Sequence, residues 1–129
     1  MTVRSRFVPA ALAALAAAAA CLVFAGLGAA GAPARLTGTV GINDAFKIKL
    51  AVATGKTVKT LKAGSYTFVI HDGSPIHSFA LDGPNGFEKD LTAIPFKGSK
   101  TVTLNLKKGT YKYYCAQHES QMFGHFTVT

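Results

Sequence analysis

This chain is expected to fold as an all-β domain, a β-sandwich of about seven to eight strands. Three observations point there. Beyond residue 35, short alternating apolar runs recur at about 8 to 12 residues, broken by Gly, Pro, Asn and Asp. No stretch of that part keeps helical periodicity beyond a turn or two, and it holds no internal repeat. The chain has 129 residues, the size of one domain, which excludes a multidomain enzyme.

The elements follow from local pattern. In residues 45–52, Phe46, Ile48, Leu50 and Val52 share one face while Lys47 and Lys49 take the other, the mark of a half-buried strand. Residues 57–61 make a short strand, Lys62, Ala63 and Gly64 a turn, and residues 65–71, rich in aromatic and β-branched side chains, the next strand. Asp72, Gly73, Ser74 and Pro75 read as a loop from turn chemistry alone. Residues 76–81 resume an extended run, and residues 82–86 (Asp-Gly-Pro-Asn-Gly) break it. Residues 87–98 are too irregular for an assignment. Residues 99–106 alternate Val102, Leu104 and Leu106 against Thr101, Thr103 and Asn105; Lys107, Lys108 and Gly109 turn the chain, and residues 110–115 return, the pattern of a β-hairpin. Residues 123–129 close the chain as a strand with Phe126 and Val128 on one face.

The N-terminal third is different in kind. Residues 7–34 contain no charge and are bracketed by Arg4 and Arg6 before and Arg35 after. A basic start, an Ala/Leu-rich centre and small residues at the end read as an export signal, with cleavage best placed after Ala30 or Ala34. The uncharged stretch is also long enough to span a bilayer, so an uncleaved N-terminal membrane anchor is the alternative. Either reading gives residues 1–34 as signal or anchor and residues 35–129 as one domain outside the cytoplasm: periplasm, cell envelope or secreted. Cys21 is filler of the apolar segment. Of 14 Lys and Arg, Arg4 and Arg6 fall in the leader, leaving 12 against 6 acids and a net charge near +6. A domain of about 95 residues buries roughly 60% to 65% of the surface its unfolded chain exposes, enough for one core without staples. Only Cys115 remains, so no internal disulfide forms. An unpaired thiol in an oxidising compartment calls for a metal, a partner thiol or deep burial.

The chemistry-bearing residues cluster around that cysteine. Cys115, His118 and Met122 lie within eight residues of a loop between two strands, followed by Phe123 and Gly124. A thiolate, two imidazoles and a weak axial thioether suit copper in both oxidation states. The loop supplies three of these, and His77, after a Pro-containing turn and 38 residues before Cys115, is the best candidate for the second imidazole. His125 falls out of phase with Phe126 and Val128 and is expected to face solvent; His71 is expected to be a loop histidine. Glu119 and Asp72 are expected to be solvated loop charges. Structural zinc takes four Cys or His ligands rather than a thioether, and a Cys/His nucleophile would leave Met122 and the second histidine unexplained.

The run Tyr113-Tyr114-Cys115-Ala116-Gln117-His118, the Met122-Phe123-Gly124 segment and the upstream Ser74-Pro75-Ile76-His77-Ser78-Phe79 together resemble the cupredoxin family, specifically the small bacterial plastocyanin/azurin-like blue-copper proteins. The resemblance covers essentially all of the domain. It implies a Greek-key β-sandwich with the metal at one end, His77, Cys115 and His118 as equatorial copper ligands and Met122 as the axial one. It implies an imidazole edge, that of His118, as an electron port framed by apolar residues such as Phe123 and Pro75. Three residues separate His118 from Met122, one fewer than in plastocyanin loops and one more than in amicyanin loops. Position 78 is Ser where many relatives carry Asn, so the hydrogen bonding that steadies the cysteine loop is expected to be weaker or differently made.

The function expected is a non-enzymatic extracytoplasmic type 1 copper protein that carries single electrons. Copper sequestration or delivery with the same ligands is the alternative, and a metal-free sandwich with Cys115 simply buried is a third. Expected partners are redox proteins, acidic ones being favoured by the lysine-rich surface, with no nucleic acid; membrane attachment through the N-terminal segment belongs to the alternative in which that segment is retained as an anchor.

Overall fold

The computed structural model describes residues 31–129; all but the last four residues of the expected leader lie outside the described residues. Nine strands are found among these: β1 (Ala34–Val40), β2 (Ile48–Val52), β3 (Thr60–Leu61), β4 (Gly64–Asp72), β5 (Phe79–Asp82), β6 (Glu88–Thr92), β7 (Gly98–Leu106), β8 (Gly109–Tyr114) and β9 (Phe123–Val128). They form two sheets, one ordered β2-β1-β4-β7 and the other β3-β9-β8-β5-β6. The all-β sandwich is as expected, with one strand more than the upper count. The additional strands are β1, which pairs in parallel with β4 over seven residues, and β6, inside the unassigned segment, where only Leu91 and Thr92 are buried. A strand with so few inward side chains leaves little alternation to read.

Alternation does explain which side chains meet. From one sheet Leu36, Val40, Leu50, Phe68, Ile70 and Leu106 point inward; from the other Leu61, Phe79, Leu81, Leu91, Tyr111, Tyr113, Phe126 and Val128 do so. Each fully buried Leu or Phe contributes about 1.5–3 kcal/mol. Tyr111 stacks on Phe126 with ring centroids 5.2 Å apart, and Tyr113 on Phe79 at 5.8 Å. Gly124 faces Tyr113 across the β8–β9 pair, and a Cβ there would overlap the phenol ring.

Three sequence expectations are corrected. Residues 99–106 and 110–115 are not a hairpin: β7 pairs with β4 in one sheet, while β8 pairs with β5 and β9 in the other. The turn residues signal a reversal, but a reversal between sheets uses the same residues as one within a sheet. Here the Tyr111 hydroxyl fixes the arch, accepting from Lys107 N–H and donating to Lys107 C=O, each at 3.0 Å. Phe46 is not a core residue of the second strand; β2 starts at Ile48, and Phe46 stands 50% exposed in a turn closed by the Lys47 N–H to Ala45 C=O bond. The run at residues 76–81 becomes a strand only at Phe79, which leaves His77 in a loop.

Register places four connections at one end of the sandwich. Val40 pairs with Ile48 and Asp72, Asp72 with Gly98, Phe79 with Thr92, and Tyr114 with Phe123. Residues 41–47, 73–78, 93–97 and 115–122 therefore share that end. Every exposed large apolar residue of the described chain, Ile42, Phe46, Ile76, Ile94, Phe96 and Phe123, lies on these connections or at their border.

Candidate metal centre

Strand period two carries the inward series Tyr111 and Tyr113 on to Cys115, which lies just past β8 and is fully buried. The chain then turns twice within eight residues. His118 N–H bonds to Cys115 C=O at 3.1 Å, Met122 N–H to His118 C=O at 2.8 Å, and Cys115 N–H to Met122 C=O at 3.0 Å. These bonds fold His118 back over Cys115 and bury Met122 beneath the loop at 1% exposure. His77 arrives from the other side, on the connection that crosses from β4 in one sheet to β5 in the other.

His77, Cys115 and His118 converge; the two first are buried and His118 is half-buried. His77 Nδ1 lies 3.0 Å from His118 Nδ1, and Cys115 Sγ lies 3.8 Å and 3.6 Å from these nitrogens. The three separations form a triangle whose circumcentre (product of the edges over four times the area) is about 2.0 Å from each donor, close to the roughly 2.0–2.3 Å of metal–imidazole and metal–thiolate bonds. Two imidazole nitrogens and the cysteine sulfur face one point, an arrangement that a cation satisfies. His77 Nε2 is buried with no hydrogen-bond partner, so Nδ1 is the atom that the site uses. A trigonal His₂Cys donor set with a Met beside it fits a single copper ion.

Neighbours fix the donors. Ser78 N–H points at Cys115 Sγ at 3.4 Å. The Ser78 hydroxyl accepts from Ala116 N–H at 3.1 Å and donates to Gln117 Oε1 at 2.8 Å, leaving the sulfur at 3.9 Å without its proton. At position 78 the Ser hydroxyl ties the cysteine loop through Ala116 and Gln117. Phe46 packs edge-on against both imidazoles, with centroids 5.0 Å from His77 and 4.6 Å from His118. Gly41, at φ 60°, lies under His77, where an added Cβ would stand 2.6 Å from the imidazole Cδ2.

Of the remaining expectations, His125 is exposed and outside the cluster, and His71 bonds Ser99 Oγ at 2.8 Å, within β4 rather than in a loop. Glu119 is exposed and pairs with Lys112, whose ammonium also faces the rings of Tyr114 and Phe123. Asp72 corrects the reading as a solvated charge: it is 3% exposed. Burial and the bond donated to Asp82 push the Tyr114 hydroxyl up to about 12. Burial raises that of Tyr113. Sequence reasoning gave no site role to Gln117, Gly41, Phe46, Asp72 or Thr92. Gln117 stood inside the recognised run, whereas nothing local marks the other four.

The architecture matches solved structures. Auracyanin A, described as a "blue" copper protein from the green thermophilic photosynthetic bacterium Chloroflexus aurantiacus, aligns over 76% of this chain and 100% of its own at a TM-score of 0.53 and 18% identity. Reduced rusticyanin at 1.9 Å aligns over 74% of this chain and 78% of its own at a TM-score of 0.51 and 16% identity. This chain has the cupredoxin fold. At these identities the likeness concerns the fold, and the cupredoxin sandwich puts the donor cluster at the end where its four connections meet. No family model and no curated sequence matches the chain.

Proposed function

We propose that this chain is an extracytoplasmic copper protein that carries single electrons between redox partners, with His77, Cys115 and His118 as equatorial ligands and Met122 as the axial one. The observation that carries the reading is the convergence of Cys115 Sγ and the two imidazole Nδ1 atoms on a point about 2.0 Å from each. A bound copper ion supplies a one-electron couple. The chain supplies a donor set held by two sheets and by the Ser78 and loop hydrogen bonds, so little rearranges when the charge changes. Met122, buried beneath the loop, is placed in sequence for a thioether contact. Among the described residues the converging side chains form a donor set for one ion, and the role proposed for them is that of a carrier.

His118 is the partly exposed member of the cluster, and Phe46 covers its ring while Phe123 and Ile76 stand exposed at the same end. An apolar rim around an imidazole edge excludes water and lets a partner approach closely. The excess of lysines favours an acidic partner. The uncharged segment at residues 7–34 supports export, as cleaved signal or retained anchor. Complete burial of Cys115 and His77 favours electron transfer over copper delivery, which works best with exchangeable ligands.

The test is a titration of the purified full chain with Cu(II), followed by absorption, paramagnetic resonance and voltammetry, beside Cys115→Ser. An intense visible sulfur-to-copper band, stoichiometric, lost in the variant and accompanied by a reversible one-electron couple, is the expected result. Loss of the ion on reduction would move the function to copper delivery, and absence of the band would overturn the thiolate site.

A further inference from the structure

Every buried polar or charged side chain of the described chain belongs to one small group: Asp72, Ser74, His77, Ser78 and Thr92. His77 and Ser78 serve the metal centre directly. The other three form a separate device. The Asp72 carboxylate accepts Thr92 Oγ1–H at 2.6 Å through one oxygen and Ser74 N–H at 3.2 Å through the other. Thr92 Oγ1 in turn accepts Phe79 N–H at 3.0 Å. Ser74 C=O accepts His77 N–H at 3.3 Å, and Gly73 N–H bonds Val40 C=O at 2.9 Å. Residues 73–78 are thus closed at both ends on one carboxylate–hydroxyl pair, with His77 between.

We propose that the Thr92 hydroxyl and the Asp72 carboxylate form a latch between the two sheets that positions His77 for the metal; the proposal rests on the function proposed above. Asp72 ends β4 in one sheet and Thr92 ends β6 in the other, so their bond spans the sandwich at the metal end. Cys115, His118 and Met122 all lie on the loop that joins β8 and β9 of the second sheet. His77 alone must be carried from the first sheet to meet them, and the latch fixes where that crossing begins and where it ends. A buried carboxylate is retained only where its oxygens find donors, and here they find the Thr92 hydroxyl and the Ser74 amide. A hydrogen-bonded support behind a ligand typically changes metal affinity roughly 10–100-fold when removed. Asp72 and Thr92 are positioning residues; neither belongs to the converging donors.

The deciding pair is Thr92→Val, which keeps the shape and removes the hydroxyl, against Thr92→Ser, which keeps the hydroxyl. Leu106→Ala, a buried residue at the opposite end paired with Gly64, controls for general destabilisation. In the full chain, copper release to a chelator, the reduction potential and the copper hyperfine splitting are measured. Amide hydrogen exchange at Ser74 and Phe79 in the metal-free protein is the readout that needs no copper. Thr92→Val should speed copper release by roughly 10–100-fold, alter the potential and hyperfine splitting, and deprotect both amides, while Thr92→Ser and Leu106→Ala stay near the parent. A Thr92→Val protein with unchanged release and exchange overturns the latch. So does a Thr92→Ser protein as impaired as the Val variant, or a Leu106→Ala protein equally impaired at the metal. A parent chain without the thiolate band would sink the copper reading itself, and exchange at the two amides would still decide whether the latch exists.

Discussion

The two halves of the metal centre are built by different means. Residues 115–122 leave β8 and return to its neighbour β9, and the bonds that shape the turn run between Cys115, His118 and Met122 themselves. Residues 73–78 leave one sheet and enter the other, and His77 is held by Asp72, Thr92, Gly41 and Phe46, from three other parts of the chain. A loop that closes on itself tolerates change elsewhere in the sandwich. A loop that closes on distant partners reports any shift between the sheets. The two halves meet at Ser78, whose N–H and hydroxyl reach Cys115, Ala116 and Gln117.

The comparison can be broken most directly at Gly41. Alanine there would carry a left-handed φ and press on the His77 ring and on Ser74 Cβ, 2.8 Å from the added atom. Gly41→Ala should destabilise the protein by about 1–3 kcal/mol in denaturant titration and weaken copper binding, with the β8–β9 amides remaining protected. Equal loss of protection in both loops would mean that the halves are not separable. A smaller effect is expected at the junction. Gln117→Ala removes the acceptor of the Ser78 hydroxyl and should lower stability by about 0.5–1.5 kcal/mol, freeing that proton for the cysteine sulfur and shifting the visible band. An unchanged spectrum would show that the Ser78 contact does not reach the sulfur.

The smallest effect is a dependence on pH. Tyr114 lies beside Cys115 and bonds Asp82 of β5, the strand that His77's loop enters. Its hydroxyl ionises near 10 when unfolded and at about 12 when folded, because burial and the Asp82 carboxylate both disfavour the phenolate. Between those values the unfolded chain has released a proton that the folded chain still holds. The contribution is complete below pH 10 and is lost as pH rises toward 12. Urea melts of the metal-free protein across that range should therefore fall less steeply with pH in Tyr114→Phe than in the parent, and parallel slopes would remove the Asp82 bond from the account.

Legibility in the sequence followed the range of the interactions. Alternation of Val102, Leu104 and Leu106, or of Phe126 and Val128, is a local consequence of strand geometry and gave strand type and facing. Phe46 obeys the same alternation as Ile48 and Leu50, yet its place over two imidazoles follows from where β1 and β4 end, which no window of residues contains. The arch between β7 and β8 escapes local pattern for the same reason: Lys107, Lys108 and Gly109 specify that the chain turns, not toward which sheet. Asp72 looked like any loop carboxylate because its partner Thr92 is twenty residues away, in the segment with the weakest pattern.

The sequence by itself determined the all-β class, the gathering of Cys115, His118 and Met122 in one short loop, and His77 as the best candidate to meet them. Spacing within a turn and period-two facing act over a few residues and are written in the chain. Only the tertiary structure decided that His77 crosses between sheets to stand 3.0 Å from His118, that Gly41 and Phe46 enclose it, and that Asp72 and Thr92 brace the crossing. Those contacts join residues far apart in sequence, and they exist because the two sheets bury their apolar faces against each other and bring the loop ends together.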